Sequence, residues 1–149
     1  MTREPDVLIP GDPGEMPPAR PAVLLVEDEP TLRGLFTRVL TRGGFDVAAF
    51  GDGTGALESV VTRPDVLLTD ITVPGRTGAQ VADAVVARFP GTPVLFMSGY
   101  GLAAATADQL VPLDADLITK PFTGGELLQR VRTALAAAGR QPVRPPTRR

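Results

Sequence analysis

Five residues that could do chemistry stand at or directly after the ends of short apolar runs in this sequence: Glu27, Asp28, Asp70, Ser98 and Lys120. Carboxylate oxygens, without histidine or cysteine, favour Mg²⁺, Mn²⁺ or Ca²⁺ over zinc. A carboxylate can also attack a phosphoryl group and form an acyl phosphate. A hydroxyl and an ammonium group can hold the other phosphoryl oxygens. The combination points to metal-dependent phosphoryl transfer.

Each of these residues alone is weak evidence, because an acid after a strand is most often a turn residue or a helix cap. Asp28, for example, could cap the helix that follows it. Their joint occurrence is more specific, since two carboxylates about 4 Å apart repel by about 4 kcal/mol at an effective dielectric constant near 20. Such a cluster should raise a pKa or bind a cation. Asp70 is the best candidate for the nucleophile, because it ends the most apolar run.

The elements that would position these residues alternate between apolar runs and helical patterns. Five runs predict strands, at residues 22–26, 45–50, 65–70, 93–98 and 115–119. Short apolar strands joined by helices predict an α/β fold, a doubly wound parallel sheet with helices on both faces. In such sheets the ligand site lies outside the carboxyl ends of the strands, where all five residues stand.

The first two predicted helices have clear start signals. Pro30 suits the first turn of the first helix, and Gly43 with Gly44 should end it. Asp52 is the predicted cap of a short second helix, which we expect to include Val60 and Val61.

The later helices begin at recognisable sequence motifs. Capping boxes at Thr77–Gln80 and Thr123–Glu126 predict the starts of the third and fifth helices. We expect the third helix to turn Val81, Val85, Val86 and Phe89 inward. An Ala-rich pattern over residues 102–110 predicts a weaker fourth helix.

Composition bounds the remaining possibilities. A chain of 149 residues with 43 % hydrophobic residues suits one domain, which we place at residues 21–138. Residues 1–20 are proline-rich and predicted to be disordered, and residues 139–149 form a basic, proline-rich tail.

The absence of histidine and cysteine excludes hydrolase triads and most zinc sites. The net charge of −2 gives no reason to expect nucleic-acid binding, and no apolar run could span a membrane, so we expect a cytoplasmic protein.

The motifs around these residues resemble the receiver domain of two-component response regulators, over about residues 21–138. The motifs are VLLVEDEP, LLTDITVPGRTG, PVLFMSGY and ITKPF. The resemblance implies a flavodoxin-like, five-stranded sheet of strand order 2-1-3-4-5. It also implies that Asp70 accepts a phosphoryl group from the phosphohistidine of a sensor histidine kinase or a histidine phosphotransfer protein, with Mg²⁺ or Mn²⁺ as the cofactor.

The same resemblance implies a metal site. Asp28 would be a direct ligand together with Asp70, and Glu27 would act largely through water. Thr72, two residues after Asp70, would contribute its backbone carbonyl.

It also implies roles for residues around the phosphoryl group. Ser98 would be the switch hydroxyl and Lys120 the phosphate contact, with a cis bond before Pro121. Leu117 stands where the family usually has an aromatic switch residue. We expect Tyr100 to lie at the mouth of the site and shield the acyl phosphate.

As a receiver, the chain is expected to be a signalling phosphoacceptor rather than an enzyme, with intrinsic self-phosphorylation and autodephosphorylation. The tails are too short for a DNA-binding domain, so output would come from an unknown partner bound at the fourth helix, fifth strand and fifth helix, from a homodimer, or from service as a phosphate sink or relay. The sequence FMSGY and the absence of an aromatic residue at Leu117 are similar to features of receivers attached to hybrid histidine kinases.

Three functions other than a phosphorylated receiver are alternatives for this sequence. A receiver that binds partners without phosphorylation keeps the same fold. A phosphatase of the haloacid dehalogenase type needs a second acid two residues after its nucleophile, where this chain has Thr72. A flavodoxin-like FMN carrier needs hydroxyls and amides in its first loop, where this chain has the acidic EDEP.

Overall fold

In the computed structural model, which describes residues 20–99 and 101–140, strands and helices alternate along the chain. The strands are β1 (Ala22–Val26), β2 (Asp46–Phe50), β3 (Val66–Asp70), β4 (Val94–Ser98) and β5 (Asp116–Thr119). The helices are α1 (Pro30–Arg42), α2 (Gly53–Ser59), α3 (Gly78–Arg88), α4 (Leu102–Ala107) and α5 (Gly124–Arg140). Among the described residues, no helix has both the length and the apolar composition of a membrane span.

The five strands form one parallel sheet in the order β2-β1-β3-β4-β5, which confirms the predicted fold. Central strand β3 is apolar on both faces, and Val66, Leu67 and Leu68 are fully buried. Because successive side chains of a strand point to opposite faces, Leu67 and Leu68 belong to different cores.

The sheet separates two hydrophobic cores. On one face, Leu67 packs with residues of α2, α3 and α4. On the other, Leu68 packs with residues of α1 and α5, including Phe36 and Leu127. Since burying a large aliphatic side chain contributes about 1.5–3 kcal/mol, the two cores hold all five strands at a fixed register.

Local capping interactions place the helix starts. In α3 and α5 the predicted capping boxes are present, with Thr77 paired to Gln80 and Thr123 paired to Glu126 through reciprocal hydrogen bonds. The cap of α1 is Glu29, whose carboxylate accepts a hydrogen bond from the Leu32 amide, rather than Asp28.

Three local expectations were wrong. Helix α2 ends at Ser59 because Val60 is already extended, and Val61 is 78 % exposed. Val86 of α3 is 38 % exposed, because it lies about 100° around the helix from buried Val85. Helix α4 ends at Ala107 rather than at residue 110. The backbone of Gln109 is left-handed, with φ of 59°, which ends a helix.

The predicted tails lie largely outside the described residues. Arg20 donates hydrogen bonds to the carbonyls of Thr41 and Phe45 and pairs with Asp46. At the other end, α5 continues to Arg140, past the predicted boundary at residue 138.

Two glycines give a test of how tightly the β3–α3 connection is packed. A Cβ on Gly78 would lie 2.2 Å from the Asp70 carbonyl oxygen, whereas a Cβ on Gly34, within α1, would lie 3.6 Å from Arg38 Nη1. We expect Gly78→Ala to lower the free energy of unfolding by about 1–3 kcal/mol through overpacking. We expect Gly34→Ala to raise it by about 0.5–1 kcal/mol, because alanine loses less backbone entropy. Urea unfolding measures both changes, and equal effects would contradict this packing.

Candidate functional site

The carboxyl ends of β1, β3 and β5 bring four charged side chains together. One carboxylate oxygen from each of Glu27, Asp28 and Asp70 lies within 4.8 Å of the other two. Lys120 Nζ lies 2.8 Å from Glu27 Oε1 and 3.0 Å from Asp70 Oδ2. The structure therefore places one ammonium group against two of three clustered carboxylates.

Glu27 is the buried member of this cluster. Its side chain is 1 % exposed, and its second oxygen, Oε2, accepts a hydrogen bond of 3.1 Å from the Glu29 amide. Burial raises the pKa of the Glu27 carboxyl above its ordinary value of 4.5, and the charge of Asp70 adds to this, while the hydrogen bonds from Lys120 and Glu29 oppose it. In this structure Glu27 contacts Lys120 directly; its water-mediated contact to a metal stays a prediction.

Asp70, the last residue of β3, is held through both of its oxygens. Oδ1 accepts a hydrogen bond of 3.1 Å from the Ile71 amide, and Oδ2 accepts the one from Lys120. Gly78 packs against the Asp70 carbonyl so closely that a Cβ would not fit. These contacts orient the carboxylate, whose side chain keeps 16 % exposure, toward the edge of the sheet.

Lys120 reaches this cluster from the edge strand. Burial alone would lower the pKa of its ammonium, but the hydrogen bonds to Glu27 and Asp70 outweigh burial and raise that pKa above 10.5. Its backbone amide donates to the Ser98 carbonyl at 2.7 Å, and the bond to Pro121 is cis, as predicted. The lysine is thus charged at neutral pH and fixed at its backbone.

Of the other predicted site residues, Ser98 and Thr72 are placed by the structure, at the end of β4 and in the β3–α3 loop. Ser98 ends β4 and is 2 % exposed, next to Met97, which is in register with Asp70. Thr72 pairs with Thr77 in an isolated antiparallel bridge that closes the β3–α3 loop. Tyr100 lies outside the described residues, so its shielding role stays a prediction.

Leu117 occupies a buried position in β5, at 9 % exposure. It packs in the core on the α2–α4 face, which also includes Phe96 and Ala105, and its carbonyl accepts a hydrogen bond of 2.9 Å from Arg130. An aliphatic side chain therefore fills the position where the resemblance implies an aromatic ring.

Arg33, which the sequence pattern did not single out, supports the loop of the acid pair. Its Nη1 donates to the Glu27 carbonyl at 2.9 Å and lies 3.5 Å from the Asp28 carbonyl. A Cβ on Gly51 would lie 2.7 Å from the same nitrogen, so glycine makes room for the guanidinium. The available signal was an arginine in the first turn of α1, close in sequence to the two acids.

The donor set of the site fits a hard divalent cation. Exposed Asp28, part-exposed Asp70 and buried Glu27 offer only oxygen ligands, which suit Mg²⁺ better than zinc. A cation there would also offset the mutual repulsion of the three carboxylates.

A model of the response regulator receiver domain matches residues 23–132. The chain belongs to this receiver family. The match covers β2 to β5, all of β1 except Ala22, and all four charged residues of the site. Receiver domains are signalling phosphoacceptors rather than conventional enzymes.

Similar proteins include receivers with and without further domains. The DNA-binding response regulator MtrA of Mycolicibacterium smegmatis is 37 % identical over 120 residues, which are 78 % of this chain and 51 % of that protein. The receiver therefore spans about half the length of that relative. The response regulator receiver protein CpdR of Brucella abortus is 31 % identical over 117 residues, 78 % of this chain and 98 % of CpdR.

A solved structure supports the same fold. The crystal structure of a response regulator receiver protein from Sinorhizobium medicae superimposes with a TM-score of 0.69 at 31 % sequence identity. The superposition covers 80 % of this receiver and 97 % of that chain.

The raised pKa of Glu27 predicts how the stability of the metal-free receiver depends on pH. A carboxyl with a higher pKa in the folded chain contributes stability that is fully present below its unfolded value, near 4.5. That contribution is lost as the pH rises through the folded pKa. We therefore expect the free energy of unfolding of the wild type, relative to Glu27→Gln, to fall as the pH rises above 4.5.

Urea unfolding in the presence of a chelator, at a series of pH values, measures this difference. Glu58→Gln, at an exposed position on α2, is the matched control and should follow the wild type. A difference between wild type and Glu27→Gln that stays constant or grows with pH would contradict the burial of a charged Glu27.

Proposed function

We propose that Asp70 of this receiver accepts a phosphoryl group from the phosphohistidine of a histidine kinase or a histidine phosphotransfer protein, in a reaction that requires Mg²⁺ or Mn²⁺. The observation that carries the proposal is the position of Asp70. It lies 3.0 Å from Lys120 Nζ and within 4.8 Å of two further carboxylates. Membership of the receiver family supports the same reaction.

In the proposed step, a carboxylate oxygen of Asp70 attacks the phosphorus atom. A P–O bond forms as the P–N bond to the imidazole breaks, and the departing nitrogen takes up a proton. The product is an acyl phosphate on Asp70. The contacts from the Ile71 amide and Lys120 hold the carboxylate in place before the donor arrives, which lowers the entropic cost of the encounter.

A bound Mg²⁺ would supply positive charge to neutralise the phosphoryl oxygens and the acid cluster. Asp28 and Asp70 would hold the ion directly, with the Thr72 carbonyl, while Glu27 would act largely through water. Arg33 positions this loop through the carbonyls of Glu27 and Asp28.

When Asp70 is phosphorylated, Lys120 would exchange its contact with the Asp70 carboxylate for a contact with a phosphoryl oxygen. Its ammonium can donate to a phosphoryl oxygen while Glu27 keeps it at the site, because Lys120 contacts both carboxylates. The Ser98 hydroxyl would bind a second phosphoryl oxygen. Lysine suits this place because its ammonium is compact, whereas the planar guanidinium of arginine is wider.

The phosphorylated receiver would act through protein binding. The surface of α4, β5 and α5 would bind an output protein or a second copy of the chain, or the receiver would serve as a phosphate sink or relay. The matched region covers 98 % of CpdR, so CpdR is a relative about as long as this receiver. DNA binding is stated in the name of MtrA and is not proposed for this chain. Buried Leu117 argues for a switch that does not need a rotating ring at this position.

Substitution of the phosphoacceptor tests the proposal directly. We expect Asp70→Asn to abolish labelling by acetyl phosphate in Mg²⁺, because an amide oxygen is a much poorer nucleophile than a carboxylate. Intact-protein mass spectrometry measures the added phosphoryl group. Asp108→Asn, at an exposed acid outside the site, should label like the wild type, and labelling of Asp70→Asn would show that another residue is the acceptor.

The acid pair predicts the metal requirement. We expect Asp28→Asn to raise the Mg²⁺ concentration needed for half-maximal labelling by at least about tenfold, because loss of a group that only supports a metal ligand already costs about ten- to a hundredfold in affinity. The rate of acetyl phosphate labelling across a Mg²⁺ titration measures this shift. If the requirement stays at the wild-type level, Asp28 is not a ligand.

A further inference from the structure

A groove of about 580 Å³ opens between α3 and α5, over the amino ends of β4 and β5. It lies at the opposite end of the strands from Asp70 and Lys120. Its walls are short side chains, among them Ala82 of α3 with Ala134 and Ala137 of α5, so the two helices do not fill the space between them. A cavity of this size falls in the range that holds bound ligands or segments.

Two of the acids on the rim of the groove form no ion pair with any residue that the structure describes. Asp83 and Asp114 line it and are exposed, and within residues 20–99 and 101–140 neither forms an ion pair. A third lining acid, Asp116, is already paired with Arg130. An adjoining depression shares Asp83 and includes Leu113, which is 86 % exposed. The surface thus combines apolar area with two negative charges that no described cation pairs with.

The chain itself supplies a segment of matching chemistry at the edge of this groove. Ala137 and Ala138, near the end of α5, line the groove, and the residues after α5 read QPVRPPTRR, from 141 to 149. This segment has three arginines, three prolines and no acid. Nine residues can span about 30 Å when extended, and the segment begins three residues after Ala138, which lines the same groove as Asp83 and Asp114.

Its prolines also suit it to bind in an extended form. Proline fixes φ at about −65° and so favours polyproline II geometry, which reduces the entropy lost on binding. Proline-rich segments of this geometry dock in apolar grooves of other proteins.

We propose that residues 141–149 bind in this groove of the same chain. Val143 and the prolines contact the alanine walls, and the arginines pair with Asp83 and Asp114. Because these ion pairs are exposed, the contact weakens as salt concentration rises. Because the groove lies away from Asp70, the contact forms whether or not the receiver is phosphorylated. The bound segment covers one side of α5 and so limits the surface open to other partners.

The absence of cysteine permits a clean test in the full-length chain. A spin label on Thr147→Cys should selectively remove the amide NMR signals of Asp83 and Asp114, compared with the same sample after reduction of the label. The signal of Val47, in β2 at the far edge of the sheet, should be unaffected. Loss of signal everywhere, or nowhere, would overturn the proposal.

Charge variants test the chemistry of the contact. The double variant Asp83→Asn and Asp114→Asn should restore the signals of α3 in the labelled chain. It removes both carboxylates with which the arginines of the segment would pair. The matched pair Glu58→Gln and Asp108→Asn makes the same change of net charge outside the groove and should leave the loss intact. Equal behaviour of the two double variants would contradict pairing with the groove acids.

A mixing experiment distinguishes binding of the segment within its own chain from binding to a second copy of the chain. Isotope-labelled chain without a spin label is mixed with unlabelled chain that carries it. No signal loss at Asp83 is expected in the mixture. Loss there as strong as in the singly labelled chain would show that the segment binds a neighbouring molecule, and the proposal would fail.

Discussion

The contact of Lys120 with Glu27 and Asp70 is the interaction on which the site depends. It joins residues that are 93 and 50 positions apart in the chain, and it requires β1, β3 and β5 to end at the same level. Breaking a partly buried ion pair leaves a charge without its partner in a place of low dielectric, which is costly. The register of the sheet and the electrostatics of the site therefore constrain each other.

The acid cluster is held in an arrangement that is unfavourable without a cation. Three carboxylates lie within 4.8 Å of one another, and only one ammonium group offsets them among the described residues. The two cores keep the strands in place in spite of this repulsion, because each strand is anchored by apolar side chains on both faces. Stability thus comes from the cores, and the ends of the strands are left for chemistry.

Much of the fold could be predicted from the sequence because its signals are local. Apolar runs, capping boxes and the glycine pair after α1 depend on neighbours within a few residues, and they placed all ten elements in the correct order. The alternation of strands and helices in turn predicted that Glu27, Asp70 and Lys120 would share one edge. Errors arose at single positions, at Val86, which the turn of the helix carries away from buried Val85, and at the end of α4, where the left-handed backbone of Gln109 stops the helix.

The element order, the residue types at the strand ends and the chemistry that those types allow are all readable in the sequence, since each of these follows from composition and short-range periodicity. Three features appear only in the folded chain: Lys120 contacts both Glu27 and Asp70, Arg33 supports the acid loop, and alanine walls leave a groove beside α5. The lysine contact and the groove depend on distances between residues far apart in the chain, and the Arg33 contact depends on how the β1–α1 loop folds back on the first turn of α1. Such distances are set by strand register and helix packing, on which no single stretch of sequence carries information.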